Sequence, residues 1–342
     1  MNNDTPPNTI TCDTGEIDIL SCESLLRTNP ERVLRISPAS HPPFYAVSNV
    51  LCLGTASQVL CPVNVSGGRF SVLQESWTYG LEMFKSLTLR SLRSSPSGKC
   101  RTIQEAAPLN FIWSTNFWHW ILEGASRIAV LESLGFQGVY IVPPFDHVPD
   151  TLEILRIPRQ RIVYWGEQYM VKRLVVSAHM PPDRFTPATM QALRILRERF
   201  SAELPGLPAT RRCYVKRTAT RKVRNESDVL AMLQSMGFEV MIPEEQPSVR
   251  AQLDFMRNVQ CSVMPHGANC ALAFLQPENT HFLELFGMSY VNNCNGPMAA
   301  AAGLNHYQMT EKSSENLTFD MNRDFDVDVD FLRYRLKRIL HR

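Results

Sequence analysis

The sequence predicts an α/β protein of two domains, each organised around a largely parallel sheet. Three observations carry that expectation. The chain has 342 residues, more than the roughly 100–200 of one ordinary domain. Short β-branched or aromatic runs alternate with helical stretches, the pattern of strands joined by crossover helices. Ser201–Thr210 (SAELPGLPAT) places two prolines and a glycine in ten residues, a composition that marks a domain boundary. The expected division is 1–205, 206–320, and a closing helical segment 321–342.

Residues 13–100 read as short strands and turns, with Ala46–Gly54 and Gly68–Leu73 the best strand candidates. Leu109–Trp113 (LNFIW) has a short buried-strand pattern, and Ser114-Thr115-Asn116 supplies N-cap residues for a helix ending near Leu134, before Gly135. Val139–Val142, Arg161–Tyr164 and Leu174–Ser177 read as strands, Thr151–Leu155 and Pro187–Phe200 as helices. The second half is cleaner. Strands at Arg212–Lys216, Phe238–Ile242, Cys261–Met264 and His281–Phe286 alternate with helices at Glu226–Met236, Ser248–Asn258 and from His266-Gly267-Ala268 through Leu275. That is a Rossmann-like βαβαβαβ run with short connections. The last helix, Asp328–Arg342, has acids (Asp324, Asp326, Asp328, Asp330) at its start and bases towards its end, which suits the helix dipole.

Composition narrows the function. Hydrophobic residues make up 44% and charged ones 20%, and 35 Lys and Arg face 33 Asp and Glu for a net charge of +2. No global field favours nucleic acid, so an anion site must be local. Nine cysteines, none in a CxxC pair, argue for reduced thiols rather than a zinc ribbon or a disulfide framework. No run approaches the ~20 apolar residues of a membrane span, and Met1–Cys12 lacks the apolar centre of a signal peptide. Three Asn-x-Ser/Thr sequons (Asn64, Asn225, Asn316) are short enough to arise by chance. A cytoplasmic enzyme is expected, with the ectodomain of a secretory-pathway enzyme, its anchor removed, as the alternative. Membrane association rests only on the basic end of the last helix. No motif bears on oligomeric state.

Four local features carry chemistry. Asn116, His119, Glu123 and Arg127 are spaced three, four and four apart, so on an α-helix they form one polar stripe. Facing a cleft, His119 or Glu123 can take a proton from a hydroxyl, and Arg127 can pair with Glu123 or reach an anion; a capping Asn, an ion pair and a core His are the structural reading. His266-Gly267-Ala268-Asn269 joins a strand to a helix, where unpaired N–H groups and small residues admit a phosphate, although a plain turn fits the same residues. Lys216, Arg217, Arg221, Lys222 and Arg224 form a basic cluster after a strand, either a diphosphate site or a solvated loop. Glu284 is an acid in an apolar strand, a partner for ribose hydroxyls or an edge residue.

Together these pieces resemble glycosyltransferase family 61. The resemblance runs through Asn116-Phe-Trp-His119-Trp-Ile-Leu-Glu123 with Arg127, Tyr214-Val-Lys-Arg217, Lys222-Val-Arg224-Asn225-Glu226, Gly237-Phe-Glu-Val, Pro243-Glu244 with Gln252, Pro265-His266-Gly267-Ala268 and Glu284, over about 110–290. After His-Gly-Ala the family usually has Gly, Leu or Ala, then Ser/Thr and Asn; this chain has Asn269-Cys270-Ala271-Leu272.

The resemblance implies a GT-B architecture, two Rossmann-like domains with the acceptor side N-terminal, and a C-terminal helix packing back on the first domain. It implies inverting transfer from a nucleotide sugar, a UDP-sugar foremost, to a glycan or other hydroxyl acceptor, without an essential metal or separate cofactor. His119 is then the expected base, with Glu123 second. Arg217, Lys222, Asn225, His266, Gly267, Ala268, Asn269 and Glu284 are assigned to the donor, and Asn116 and Arg127 to substrate. His119 and His266 are expected to face one crevice. The rivals are a nucleotide-sugar epimerase or hydrolase of the same shape, and a non-catalytic carbohydrate-binding protein.

Overall fold

The computed structural model describes residues 9–12, 15–20, 26–27, 30–55, 58–60, 62–65, 69–73, 101–109, 113–165, 169–177, 182–312 and 318–341. Gly68, residues 110–112 of the expected LNFIW strand, Asn316 of the third sequon, and Cys22, Cys61 and Cys100 lie outside them. Residue contacts divide the chain into two units: Met1–Thr115, Val130–Val148 and Arg156–Met180 in the first, Asn116–Ala129, Pro149–Leu155 and Pro181–Arg342 in the second.

The first unit contains two sheets. Strands β1 (Thr9–Cys12), β2 (Gly15–Leu20), β6 (Pro62–Val65) and β7 (Arg69–Leu73) form one, in the order β1-β2-β7-β6. The other is built from β3 (Val33–Arg35), β4 (Phe44–Thr55), β5 (Gln58–Leu60), β8 (Arg101–Pro108), β9 (Val139–Val142), β10 (Ile162–Tyr164) and β11 (Tyr169–Ser177). Its order is β10-β9-β8-β11-β4-β3, with β10, β9, β8 and β11 parallel to one another and β4 antiparallel to β11, β3 and β5. Tyr45, Val47, Ile141, Val171 and Leu174 fill its core. Of the strand expected at Leu109–Trp113 only the two end residues are described, Leu109 outside any strand and Trp113 in a turn; the strand seen beside it is β8, which ends at Pro108. Its Gln-Glu-Ala-Ala centre has weak β propensity, and a partner on each side holds it in the sheet instead.

The second unit is a five-stranded sheet of β12 (Arg211–Val215), β13 (Phe238–Met241), β14 (Val259–Pro265), β15 (His281–Phe286) and β16 (Asn305–Thr310), in the order β13-β12-β14-β15-β16. Every neighbouring pair is parallel, so the connections are crossovers. The helices α1 (Glu226–Ser235) and α2 (Val249–Met256), a 3₁₀ run Ala268–Leu275 and a short helix α3 (Gly296–Ala301) supply them. Neither α3 nor β16 was expected; the strand's Asn-His-Tyr-Gln-Met-Thr sequence is too polar to signal burial. An α-helix was expected after His266-Gly267; the fully buried run Cys270–Leu275 instead winds as the tighter 3₁₀ form.

Two expectations about domain membership change. Pro187–Glu203 groups with the second unit because Arg197 donates to the carbonyls of Phe274 and Gln276, so Ser201–Thr210 does not separate the units. The C-terminal helix α4 (Val329–Leu340) groups with the second unit. Its Leu332, Leu336 and Ile339 are buried in one core with Val229, Leu233 and Val263, each worth about 1.5–3 kcal/mol of burial. Of the four acids, Asp328 caps this helix by accepting from Phe331 N–H at 2.9 Å. Among the described residues no helix is long and apolar enough to cross a membrane, and Cys213, Cys261, Cys270 and Cys294 are free thiols.

Candidate active site

The second unit's strand order contains one reversal. From β12 the chain moves to β13 on one side, then returns to β14 on the other. Open parallel sheets bind ligands at the carboxyl ends of the strands flanking such a reversal. Arg217 follows β12 by two residues, and His266-Gly267 follows β14 directly. The two meet: a Cβ added at Gly267 would collide with the Arg217 guanidinium. Gly267 is extended (φ 161°, ψ −168°), so it is the close approach, not the dihedral angle, that calls for glycine. Arg217 also donates to the Thr220 carbonyl. Burial, then the neighbouring Arg221, brings its pKa down to about 10, which leaves it a cation at neutral pH. Arg221, with φ 58°, sits 5.6 Å from the centre of the Tyr290 ring, and Tyr290 in turn lies 5.4 Å from His266.

The remaining basic residues are engaged elsewhere. Lys222 donates its backbone N–H to Asp324 (2.8 Å) and keeps its ammonium 3.9 Å from the same carboxylate. Arg224 pairs with Asp326 and with Glu311. Asn225 exchanges two hydrogen bonds with the Val327 backbone, at 2.8 and 3.0 Å. Lys222 and Asn225, assigned to the donor from sequence, thus tie residues 324–327 to the start of α1. Asp324 and Asp326, read as dipole partners of the last helix, serve this clasp.

Glu284 is not an edge residue. It lies on β15 between β14 and β16 with 0% of its surface exposed. Its Oε1 accepts from His266 Nδ1 (2.5 Å) and Asn295 Nδ2 (2.6 Å), and its Oε2 accepts from His306 Nε2 (3.0 Å). Burial alone would push the carboxyl upward, but the hydrogen bonds from His266 and His306 outweigh it and hold the pKa below the ordinary value. A carboxylate so enclosed faces His266, Asn295 and His306 and presents no surface to solvent. His266 itself is 5% exposed and stacks on Phe286 at 4.6 Å. The first bond of the 3₁₀ run goes from Cys270 N–H to Gly267 O (3.0 Å), so the N–H groups of Ala268 and Asn269 precede its ladder.

The polar stripe is present but distorted. Asn116 caps the helix, its Oδ1 accepting from Trp118 N–H at 2.9 Å. Phe117–His119 is α-helical, Trp120–Ala125 widens to a π-helix, and Ser126–Ser133 returns to α. Two local causes are visible. Ser126 Oγ donates to the carbonyls of Leu122 (2.7 Å) and Glu123 (3.0 Å), competing with the backbone ladder. The Trp120 ring lies against Gly124, where a Cβ would come within 2.7 Å of it. The regular 3.6-residue spacing therefore fails, and Glu123 (1% exposed) and Arg127 (6%) are buried rather than lined along an open face. His119 keeps 22% of its side chain exposed and places Nδ1 3.4 Å from Glu123 Oε1. Among the described residues no hydrogen bond reaches either oxygen of Glu123.

Both histidines belong to the second unit, although the sequence placed His119 in the first domain. One chain of hydrogen bonds joins their neighbourhoods: Trp118 Nε1 donates to Asn295 Oδ1 (2.6 Å), whose Nδ2 donates to Glu284. Sequence reasoning missed Asn295 and His306. Their signal was faint: an Asn-rich turn (Asn292, Asn293, Asn295) and a histidine in a polar strand. π-Turns and carboxylate-backed histidines both concentrate at functional sites.

No curated protein matches the chain. The model of the Glycosyltransferase 61 family matches residues 117–283, from the capped helix to the middle of β15. That span contains His119, Glu123, Arg217 and His266, and this match to the Glycosyltransferase 61 family supports a glycosyltransferase.

Proposed function

We propose an inverting, nucleotide-sugar-dependent transferase of the GT-B type, with the donor diphosphate held at the reversal between β12 and β14. The observation that carries this reading is the Arg217 guanidinium lying on the Gly267 backbone next to His266. Arg217 and Arg221 supply the charge a diphosphate needs. The N–H groups of Ala268 and Asn269 add donors at the start of the 3₁₀ run. His266, tied to Glu284 through Nδ1, turns Nε2 to the departing phosphate oxygen and donates to it from the doubly protonated ring.

On the acceptor side His119 takes the proton from the attacking hydroxyl. Glu123 is too deeply buried to touch an acceptor; it favours and orients the imidazolium that forms. The acceptor oxygen bonds to the anomeric carbon as the carbon–oxygen bond to the diphosphate breaks with its electron pair. Preorganised charge on the leaving group is the largest contribution to rate.

The test is calorimetric titration of UDP-, GDP-, CMP- and dTDP-sugars, followed by turnover with an acceptor. Arg217→Ala is expected to weaken donor binding by about 10–100-fold, the loss of a charge-assisted contact. His119→Ala is expected to bind donor normally and lose turnover. The opposite pattern sinks the assignment, and rapid donor consumption without acceptor would indicate a hydrolase or epimerase instead.

A further inference from the structure

We propose that Asn295 and His306, both beyond the family-matched segment, are positioning residues that hold the Glu284 carboxylate and so set the tautomer and direction of His266. The inference rests on the role given to His266 above. A carboxylate with no exposed surface costs several kcal/mol unless donors surround it, and three nitrogen donors do: His266 and Asn295 on Oε1, His306 on Oε2. With only His266 attached, the carboxylate group would pivot about its own axis and the imidazole would follow. His306 anchors the second oxygen, and its own ring is fixed by stacking on Phe282 at 4.8 Å and 11°. Asn295 anchors the first oxygen and accepts from Trp118 Nε1, one residue before His119. One amide thus ties the helix of one histidine to the carboxylate of the other.

The chemistry follows from proton placement. Glu284 accepts, so His266 carries its proton on Nδ1 and leaves Nε2 directed away, the arrangement by which outer carboxylates orient working histidines. His306 likewise donates from Nε2. The titratable groups facing Glu284 are therefore His266 at the end of β14, His306 on β16 and Cys270 on the 3₁₀ run, whose Sγ lies 3.7 Å from Oε1. Cys294, next to Asn295, also interacts with the carboxylate, and the Tyr290 ring lies 5.4 Å from that of His266. Removing either fixed donor leaves the carboxylate's charge to be shared differently with His266, so the titration of His266 moves.

The experiment uses the full chain and four variants: His306→Phe, His306→Gln, Asn295→Ala and His266→Ala. Turnover is measured against pH with saturating donor and acceptor, and His266 is titrated by nitrogen-15 NMR. His306→Phe and Asn295→Ala are expected to lower kcat about tenfold, as loss of an orienting partner does. The donor KM is expected to stay near the parent value, the pH–rate limb of His266 to shift, and His306→Gln to restore most of both. In the unsubstituted protein the neutral ring of His266 is expected as the Nδ1–H tautomer, with Nε2 taking up the second proton, a measurement that stands even if His306→Phe does not fold. An Nε2–H tautomer, or pH profiles in both variants that superimpose on the parent, overturns the inference. If His266→Ala abolishes turnover while those profiles stay parental, only this inference fails. Full activity in His266→Ala removes the underlying role as well.

Discussion

Two Glu–His pairs lie in the same unit, and they are built in opposite ways. Glu284 sits on an interior strand, receives hydrogen bonds from His266, Asn295, His306 and the Cys270 thiol, and holds the His266 imidazole at 2.5 Å. Glu123 sits in a π-turn, is equally buried, and meets its imidazole at 3.4 Å, with no hydrogen bond to either oxygen among the described residues. The first carboxylate is a finished structural part. The second has the more distant imidazole of His119 beside it. Buried polar groups without partners are uncommon, and those that persist concentrate at functional sites. The contrast therefore separates a histidine held tightly by an enclosed carboxylate from one held loosely at a partly exposed position.

The largest test of this difference is stability. Glu284→Ala strips a buried acceptor from its donors and is expected to cost about 3–5 kcal/mol, whereas Glu123→Gln replaces a buried charge by a cheaper neutral amide and is expected to leave stability unchanged or higher. Urea unfolding of both variants checks the pair, and equal losses would erase the distinction. Next in size is chemistry: His266→Ala is expected to reduce kcat about 10²–10³-fold, the effect of removing one preorganised leaving-group donor, in steady-state turnover assays. The glycines beside the two pairs come third. Gly267→Ala drives a methyl group into Arg217 and should weaken donor binding by about 10–100-fold, like loss of the guanidinium itself. Gly124→Ala pushes against Trp120 and should cost about 1–3 kcal/mol as overpacking, read from the thermal midpoint, with donor affinity unchanged. The smallest effect is expected from Lys222→Ala. Its exposed contact with Asp324 is worth about 0–1 kcal/mol, and calorimetry should find donor affinity intact if Lys222 belongs to the clasp rather than to the site.

Acidity distinguishes the pairs as well. The Glu284 carboxyl is held below its ordinary value, so its contribution to stability is fully present above the normal carboxylate range. It is lost as pH falls through the lowered value. Glu284→Gln is expected to flatten that acid limb of the unfolding curve; a limb of unchanged size would place its origin in other carboxylates.

Local pattern was sufficient for what depends on near neighbours. The strands His281–Phe286 and Val139–Val142, the Pro187 helix start, the Asn116 cap, the stop at Gly135 and the run of alternating elements from Arg211 onward follow from side-chain periodicity and capping chemistry. The motifs that carry the family are equally local, and they brought His119, Glu123, Arg217 and His266 forward as candidates. Partnership was not legible, because it depends on strand order and on which residues are brought together across long separations. Only the folded sheet sets Asn295 and His306 around Glu284, spends Lys222 and Asn225 on the 324–327 segment, and groups 116–129 with the C-terminal half. The π-turn was hidden for a related reason. It arises where a Trp ring over a glycine and a serine hydroxyl bonded to the carbonyls before it override the 3.6-residue period, and sequence spacing assumes that period from the outset.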